Sequence, residues 1–459
     1  MKSAKYILIL AAMFISVAFA QKETPPKGSA PKDFSLPKRE TISLPNGLQA
    51  SLIRYGNVPK AMIRVVVRTG NIDEKNNETW LADLTGEFLS EGTASKNAEA
   101  VATAAANMGG SLNINTGLDQ SFVAGEVLSE FTPDFIKLSA DVIRNPAFPA
   151  SELERLKSKM LRDLSVQSST PQSQALEKYS KVMYGDHAYG RTFPTEAMLK
   201  SYTLDQVKSF YVANFSAKRT HIFVVGVFDP AAVTKAIREA FGDWKEGTPP
   251  TQNVPQAKSE RTIYLIDRPG APQSTIILGL PTMDASHPDY VKFLIMNSIL
   301  GGSFGSRITT NIRENKGYTY SPFSAITSRY HSANWSEQAD VTTEHTGASI
   351  KEILYEIERL KKEPPAKDEL EGIQNYQAGI FVLQNSNFNG IVNQLAFLNL
   401  HGLPDTYLSN YVKNVYAVTP EDVSNMAKSQ LKDDAYTIVI VGDIAKIEKQ
   451  VKLYGKIVK

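Results

Sequence analysis

The chain has 459 residues, 42% hydrophobic and 21% charged, which suits a soluble globular protein of two or three domains, each able to bury its own core. Its 50 basic and 48 acidic residues leave a net charge of +2 with no long basic run, which argues against nucleic acid as a partner. There is no cysteine, which excludes disulfides, thiolate metal sites, a cysteine nucleophile and a lipid-anchored N-terminal cysteine.

At the N-terminus, Lys2 and Lys5 precede an apolar run from Tyr6 to Phe19 that ends in Ala18-Phe19-Ala20. This pattern predicts a signal peptide over 1–20, cut after Ala20; the run is short for a membrane span, which needs roughly 20 apolar residues. No later stretch is apolar enough to span, so no membrane span is expected after cleavage. Export without cysteine points to a periplasmic or secreted location. Gln21 to Lys38 is rich in Pro and Lys and has no apolar period, so 21–40 reads as a flexible linker, with folding from about Thr41. A second Pro-rich break, Lys245 to Glu260, separates expected domains at 41–244 and 261–459.

The two regions repeat one another. Thr203-Leu204-Asp205-Gln206-Val207 precedes a strand ending at Gly226, and Thr419-Pro420-Glu421-Asp422-Val423 precedes one ending at Gly442, an offset of 216 in both cases. Glu152-Leu153-Glu154 recurs as Glu369-Leu370-Glu371, and Pro59 before MIRVVVRT matches Pro272 before STIILGLP. The agreement predicts a duplicated domain of about 215 residues. Each copy reads as a β-branched strand, a helix, further strands, two or three amphipathic helices and a last strand. That order predicts an α+β fold in which helices pack on a sheet. No GxGxxG follows the first strand, which disfavours a dinucleotide fold.

Within the first helix, LADLTGEFLSEGT places Asp83 and Glu87 one turn apart on the same face. Spacing alone leaves two readings open, a site for an ion or two solvated charges on a helix surface. In the second half, GGSFGSRITTNIRENKGYTYSP (Gly301 to Pro322) carries Arg313 and, seven residues later, Tyr320, two hydrogen-bond donors.

Taken with NMGGSLNINTGLDQS after the first helix, these segments resemble the insulinase/pitrilysin family of zinc peptidases, over about Thr41 to Val451. The family's first helix reads HxxEH: two histidines bind zinc, the glutamate activates water, and a third ligand, a glutamate, follows downstream. Anchored on Gly92-Thr93, the resemblance puts the first histidine on Asp83, the catalytic glutamate on Gly86, the second histidine on Glu87 and the third ligand at or near Asp163. All are substituted, so no metal is expected in this chain. Three carboxylates remain as ligands for a harder ion such as calcium or magnesium. The six histidines show no close pair that would rebuild the site, and His187 matches a segment with a packing role.

The second-half signature is kept. In the family its arginine and tyrosine reach the substrate bound at the zinc site, so the resemblance gives Arg313 and Tyr320 a role on a peptide carbonyl. The alternative is that Arg313 caps a helix and Tyr320 packs in a core. Ser111 to Gly117 corresponds to the edge strand along which substrate adds, with Asn113 on the family's asparagine. Gly301, Gly302 and Gly305 resemble the flexible loop before the signature. The resemblance thus implies two homologous, mostly antiparallel sheets with helices, joined by a Pro-rich linker and enclosing a chamber. It implies the zinc-less subunit of a two-chain metallopeptidase, with an HxxEH-bearing chain and a peptide as partners and zinc only in the other subunit. The other readings are a peptide-binding scaffold of the cell envelope and an autonomous peptidase using Asp83, Glu87 and Asp163.

Overall fold

A computed structural model describes residues 35, 37–250 and 252–459. The expected signal peptide and most of the expected linker before Arg39 lie outside those residues. Each half builds a six-stranded sheet. In the first, Arg39–Ser43 (β1), Gln49–Arg54 (β2), Lys60–Val67 (β3), Asn113–Thr116 (β4), Ser121–Leu128 (β5) and Thr220–Gly226 (β6) lie in the order β1-β2-β6-β3-β5-β4. In the second, Thr262–Asp267 (β7), Gln273–Thr282 (β8), Phe323–Arg329 (β9), Ser332–Thr342 (β10), Thr437–Gly442 (β11) and Lys456–Val458 (β12) lie in the order β12-β7-β11-β8-β10-β9. Setting aside β1 and β12, the orders β2-β6-β3-β5-β4 and β7-β11-β8-β10-β9 coincide, so the repeat in sequence is a repeat in topology. Neighbours are antiparallel, except that β6 runs parallel to β2, and β11 and β12 run parallel to β7. The first strand starts at Arg39, two residues before the expected start, because Arg39 already pairs with Ile53.

The last long strand of each half, β6 or β11, is buried at every residue. THIFVVG and TIVIVG show no in-out alternation because both faces of the sheet are covered. The helices before them start on the repeated motifs. Thr203 and Gln206 form a capping box, and so do Thr419 and Asp422, each satisfying two helix-start N–H groups.

One face of each sheet is covered by helices of its own half, around Leu84, Phe88 and Phe135 in the first and Phe293, Ile312 and Ile353 in the second. The other face is covered by a helix from the opposite half. Pro171–Tyr184 lays Ala175, Tyr179 and Met183 on Ile277, Val439 and Val441. Phe388–His401 lays Ile391, Val392 and Leu395 on Ile53, Met62 and Phe223. Polar latches accompany the exchange: Arg64 on β3 donates to Asn393 Oδ1 at 2.7 Å and Asn389 Oδ1 at 2.6 Å. His221 on β6 bonds both Ser51 Oγ, at 2.8 Å, and Asn399 Nδ2, at 3.1 Å. Burial pushes the His221 imidazole down to about 4, so it is neutral in the fold. Residues 245–250 and 252–260, the expected linker, carry no helix or strand. They join halves that each keep a main core and share the two faces packed by the exchanged helices.

Candidate functional site

The helix Leu81–Leu89 buries Leu81, Leu84, Phe88 and Leu89 and ends before Gly92, whose φ of 105° lies in the left-handed region. Asp83 and Glu87 are half-buried on another face, and neither is a free carboxylate. Asp83 Oδ2 accepts a 2.6 Å hydrogen bond from Asn71 Nδ2, and the same amide nitrogen donates to Glu74 Oε1 at 3.0 Å. Glu74 Oε1 also accepts from the Ala82 backbone N–H at 2.8 Å, one of the helix-start donors. Burial, joined by the nearby Asp83 charge, pushes the Glu74 carboxyl up to about 8. Burial raises Asp83 as well, with Glu87 adding to it.

Glu87 is ion-paired with Lys159, from the helix Leu153–Ser168. Asp163 sits one turn further along that helix, half-buried, and makes no hydrogen bond or ion pair among the described residues. Gly86 faces β4, and a Cβ built on it would overlap Thr116 Oγ1. The second half repeats the arrangement, since a Cβ on Gly301 would come within 2.6 Å of Ser324 Oγ on β9. In each half an edge-strand hydroxyl occupies the space that a side chain on the helix would need.

Zinc requires neutral imidazole or an unmasked anionic ligand in an open tetrahedral set. Here an ammonium caps Glu87, an amide holds Asp83, and a threonine fills the room a glutamate would take at 86. The residues do not fit the metal. Nor are Asp83, Glu87 and Asp163 gathered for a harder ion: among the described residues no group of three or more His, Cys, Asp or Glu could hold one. His187 instead accepts from the Tyr189 backbone N–H at 3.2 Å and packs edge-on to the Tyr189 ring.

The second-half signature is differently placed. Arg313 lies in a π-helical turn, Thr309–Asn315, with its guanidinium 4.4 Å from the Phe304 ring centre and 4.8 Å from that of Tyr320. Its Nε pairs with Glu314 at 3.1 Å. Tyr320 is 80% exposed and Phe304 70%, so the core alternative for Tyr320 does not hold. Asn113 is exposed on β4, the outermost strand of its sheet, and among the described residues its side-chain amide reaches only Ser111 Oγ, at 3.4 Å. Among the described residues no hydrogen bond, ion pair or ring contact joins Arg313 or Tyr320 to Asp83, Glu87 or Asp163.

Four neighbours that decide this chemistry, Asn71, Glu74, Thr116 and Lys159, were not marked by the sequence reading. Only Lys159 carried a signal, four residues before Asp163 on one helix face.

The chain matches the family model described as "Insulinase (Peptidase family M16)" over residues 52–195 and that described as "Peptidase M16 inactive domain" over 201–376. It is 24% identical over 407 residues to "Uncharacterized zinc protease YmxG" of Bacillus subtilis, covering 86% of this chain and 96% of that protein. It is 22% identical over 424 residues to "Non-peptidase homolog YmxG" of Helicobacter pylori, covering 87% of this chain and 96% of that one. Among solved structures, a peptidase M16 inactive domain from Pseudomonas fluorescens superposes with a TM-score of 0.82 at 24% identity, covering 88% of this chain and 98% of that one. A protease from Helicobacter pylori gives 0.81 at 18% identity, covering 89% and 100%. These two likenesses bear on the fold. With HxxEH substituted at every position that carries its chemistry, the chain belongs to the insulinase (M16) family as a non-catalytic member.

Proposed function

We propose that the protein is the zinc-less subunit of a periplasmic, heterodimeric insulinase-family metallopeptidase, and that it offers Arg313 and Tyr320 to peptide held at the zinc site of an HxxEH-bearing partner. One contrast carries the reading. The first-half site is closed by its own neighbours, whereas Tyr320 stands 80% exposed with Arg313 braced beside it. An exposed phenol touching little else in its own chain suits a group that acts on something brought to it.

The partner's zinc and glutamate would supply the activated water. In this chain, the guanidinium and the phenol O–H are donors that strengthen as the peptide carbonyl oxygen gains charge. The rings of Phe304 and Tyr320 limit where the guanidinium can swing. The free edge of β4, with Asn113 on it, would hold extended peptide by backbone hydrogen bonds. Reconstitution tests the reading: this protein alone should cleave no peptide, and mixing it with an HxxEH-bearing homologue from the same cell should produce activity that neither shows alone. If that homologue is fully active alone and indifferent to the addition, the two-chain reading fails and a scaffold role takes its place.

A further inference from the structure

A cavity of about 610 Å³, with neither Arg313 nor Tyr320 in its lining, opens between the exchanged helix Pro171–Tyr184 and the segment around 190–198, within the usual range for small-molecule sites. Gln174, Glu177, Lys178 and Lys181 line it from one face of that helix, at the spacing that brings side chains into register. Arg191 lines the opposite wall, and Ile266, from the second half, adds apolar surface along with Phe193.

The charge here is not balanced. Three cations face one carboxylate, and burial favours the neutral form of that carboxylate, Glu177. Lys181 pairs with Asp186, but Lys178 has no carboxylate partner among the described residues and packs over the Tyr264 ring at 4.8 Å. Among the described residues Arg191 donates only to neutral oxygens: Asn76 Oδ1 at 3.0 Å, Asp186 O at 2.6 Å and Glu74 O at 2.8 Å. Its Nε is buried with no hydrogen-bond partner among the described residues. A fixed guanidinium that forms no ion pair among the described residues is a ready anion receptor.

Backbone strain lies beside the same wall. Trp80 adopts a φ of 68°, a conformation that a bulky residue keeps only when its surroundings hold it. The holding contacts come from the cavity wall: Trp80 Nε1 donates to Thr192 O at 3.1 Å, and its ring stands edge-on to Phe193 with centres 6.0 Å apart.

We propose that this cavity binds a small organic anion, one whose carboxylate or phosphate oxygens sit between Lys178 and Arg191 and whose apolar portion lies on Phe193 and Ile266. The site is independent of the two-chain reading above and uses none of its residues. Trp80 supplies the readout, because the other two tryptophans, Trp244 and Trp335, are buried in the core clusters. The purified protein is titrated with succinate, the dipeptide Phe-Glu and inorganic phosphate, following tryptophan emission and, in parallel, calorimetry. Saturable binding of at least one probe is expected. Lys178→Glu should weaken it about tenfold or more, since a charge-assisted contact becomes a repulsion. Lys178 is half-buried and makes no hydrogen bond or ion pair among the described residues, so this variant should fold, its melting point lowered only by loss of the contact over the Tyr264 ring. Trp80→Phe should remove the optical signal and leave the heat. A preference for phosphate or for the carboxylates assigns the anion class, and both results support the site. No saturable heat with any probe up to about 10 mM would overturn it. Unchanged affinity in a folded Lys178→Glu would do the same.

Discussion

Thr116 and Gly86 pack so closely that no side chain fits between them: a Cβ on Gly86 would overlap Thr116 Oγ1, with Thr116 Cβ 3.3 Å away. The strand that offers its free edge on one side therefore closes the old metal-site helix on the other. Gly86→Ala should gain helix propensity and still destabilise by about 1–2 kcal/mol, because overpacking outweighs the propensity gain. Thr116→Ala should recover most of that loss in the double variant. Melting curves of the parent, both single variants and the double variant give the coupling energy that decides the matter; additive losses would mean that the strand moves aside freely.

Purified protein should hold no stoichiometric zinc, because Lys159 neutralises Glu87 and Asn71 engages Asp83. Elemental analysis after dialysis is the measurement. One zinc per chain, lost in the Asp83→Ala, Glu87→Ala double variant, would contradict it.

Glu74 should make stability depend on pH. Its carboxyl is held at about 8, against an ordinary 4.5 that the unfolded chain retains. Between those values the native state keeps a proton that the unfolded state has released, so stability falls as pH rises through this window. Asp83, also raised, acts in the same direction. Glu74→Gln keeps an oxygen for the Ala82 N–H and should flatten the fall, gaining on the order of 3 kcal/mol at pH 8 relative to the parent. Parallel denaturation series at pH 5 and pH 8 would show it, and equal slopes for the two proteins would refute it.

The exchanged helices should make the halves unfold as one unit. Leu395, fully buried, packs on the first sheet, and Met183, also fully buried, packs on the second. Leu395→Ala and Met183→Ala should each cost about 2–5 kcal/mol and lower a single calorimetric transition. A variant that splits the melt into two steps, one per half, would show that the exchange does not couple them.

Tyr320→Phe should act on turnover in the reconstituted pair and on nothing else. The ring that packs by Arg313 remains, and the hydroxyl of a residue that is 80% exposed contributes little to folding. Loss of an oxyanion donor typically lowers turnover about 10²- to 10³-fold. Turnover is measured beside complex formation; a normal rate in an intact complex would remove the hydroxyl from the chemistry.

Much of the fold was legible because its signals are local. The repeated Thr203 and Thr419 motifs became capping boxes, the unbroken apolar runs became β6 and β11, and the two halves share one strand order. The substitutions at 83, 86, 87 and 163 and the signature at 313 and 320 could likewise be read along the chain. What local pattern does not encode is which distant surface meets which. Each half was expected to carry two or three amphipathic helices, but only packing assigned Pro171–Tyr184 and Phe388–His401 to the other half's sheet, where buried area is available on a face its own helices leave bare.

The same division settles LADLTGEFLSEGT. Through the family resemblance, the sequence implied that the zinc ligands and the general base are replaced, since residue identity alone sets what a side chain can donate or bind. It left open whether Asp83 and Glu87 were an ion site or a solvated face, and the tertiary structure answers that they are neither. Each charge is met by a group that the fold brings from elsewhere, Asn71 from the preceding turn and Lys159 from 72 positions away. A half-buried carboxylate must find a partner or a proton, and tertiary packing is what delivers either one.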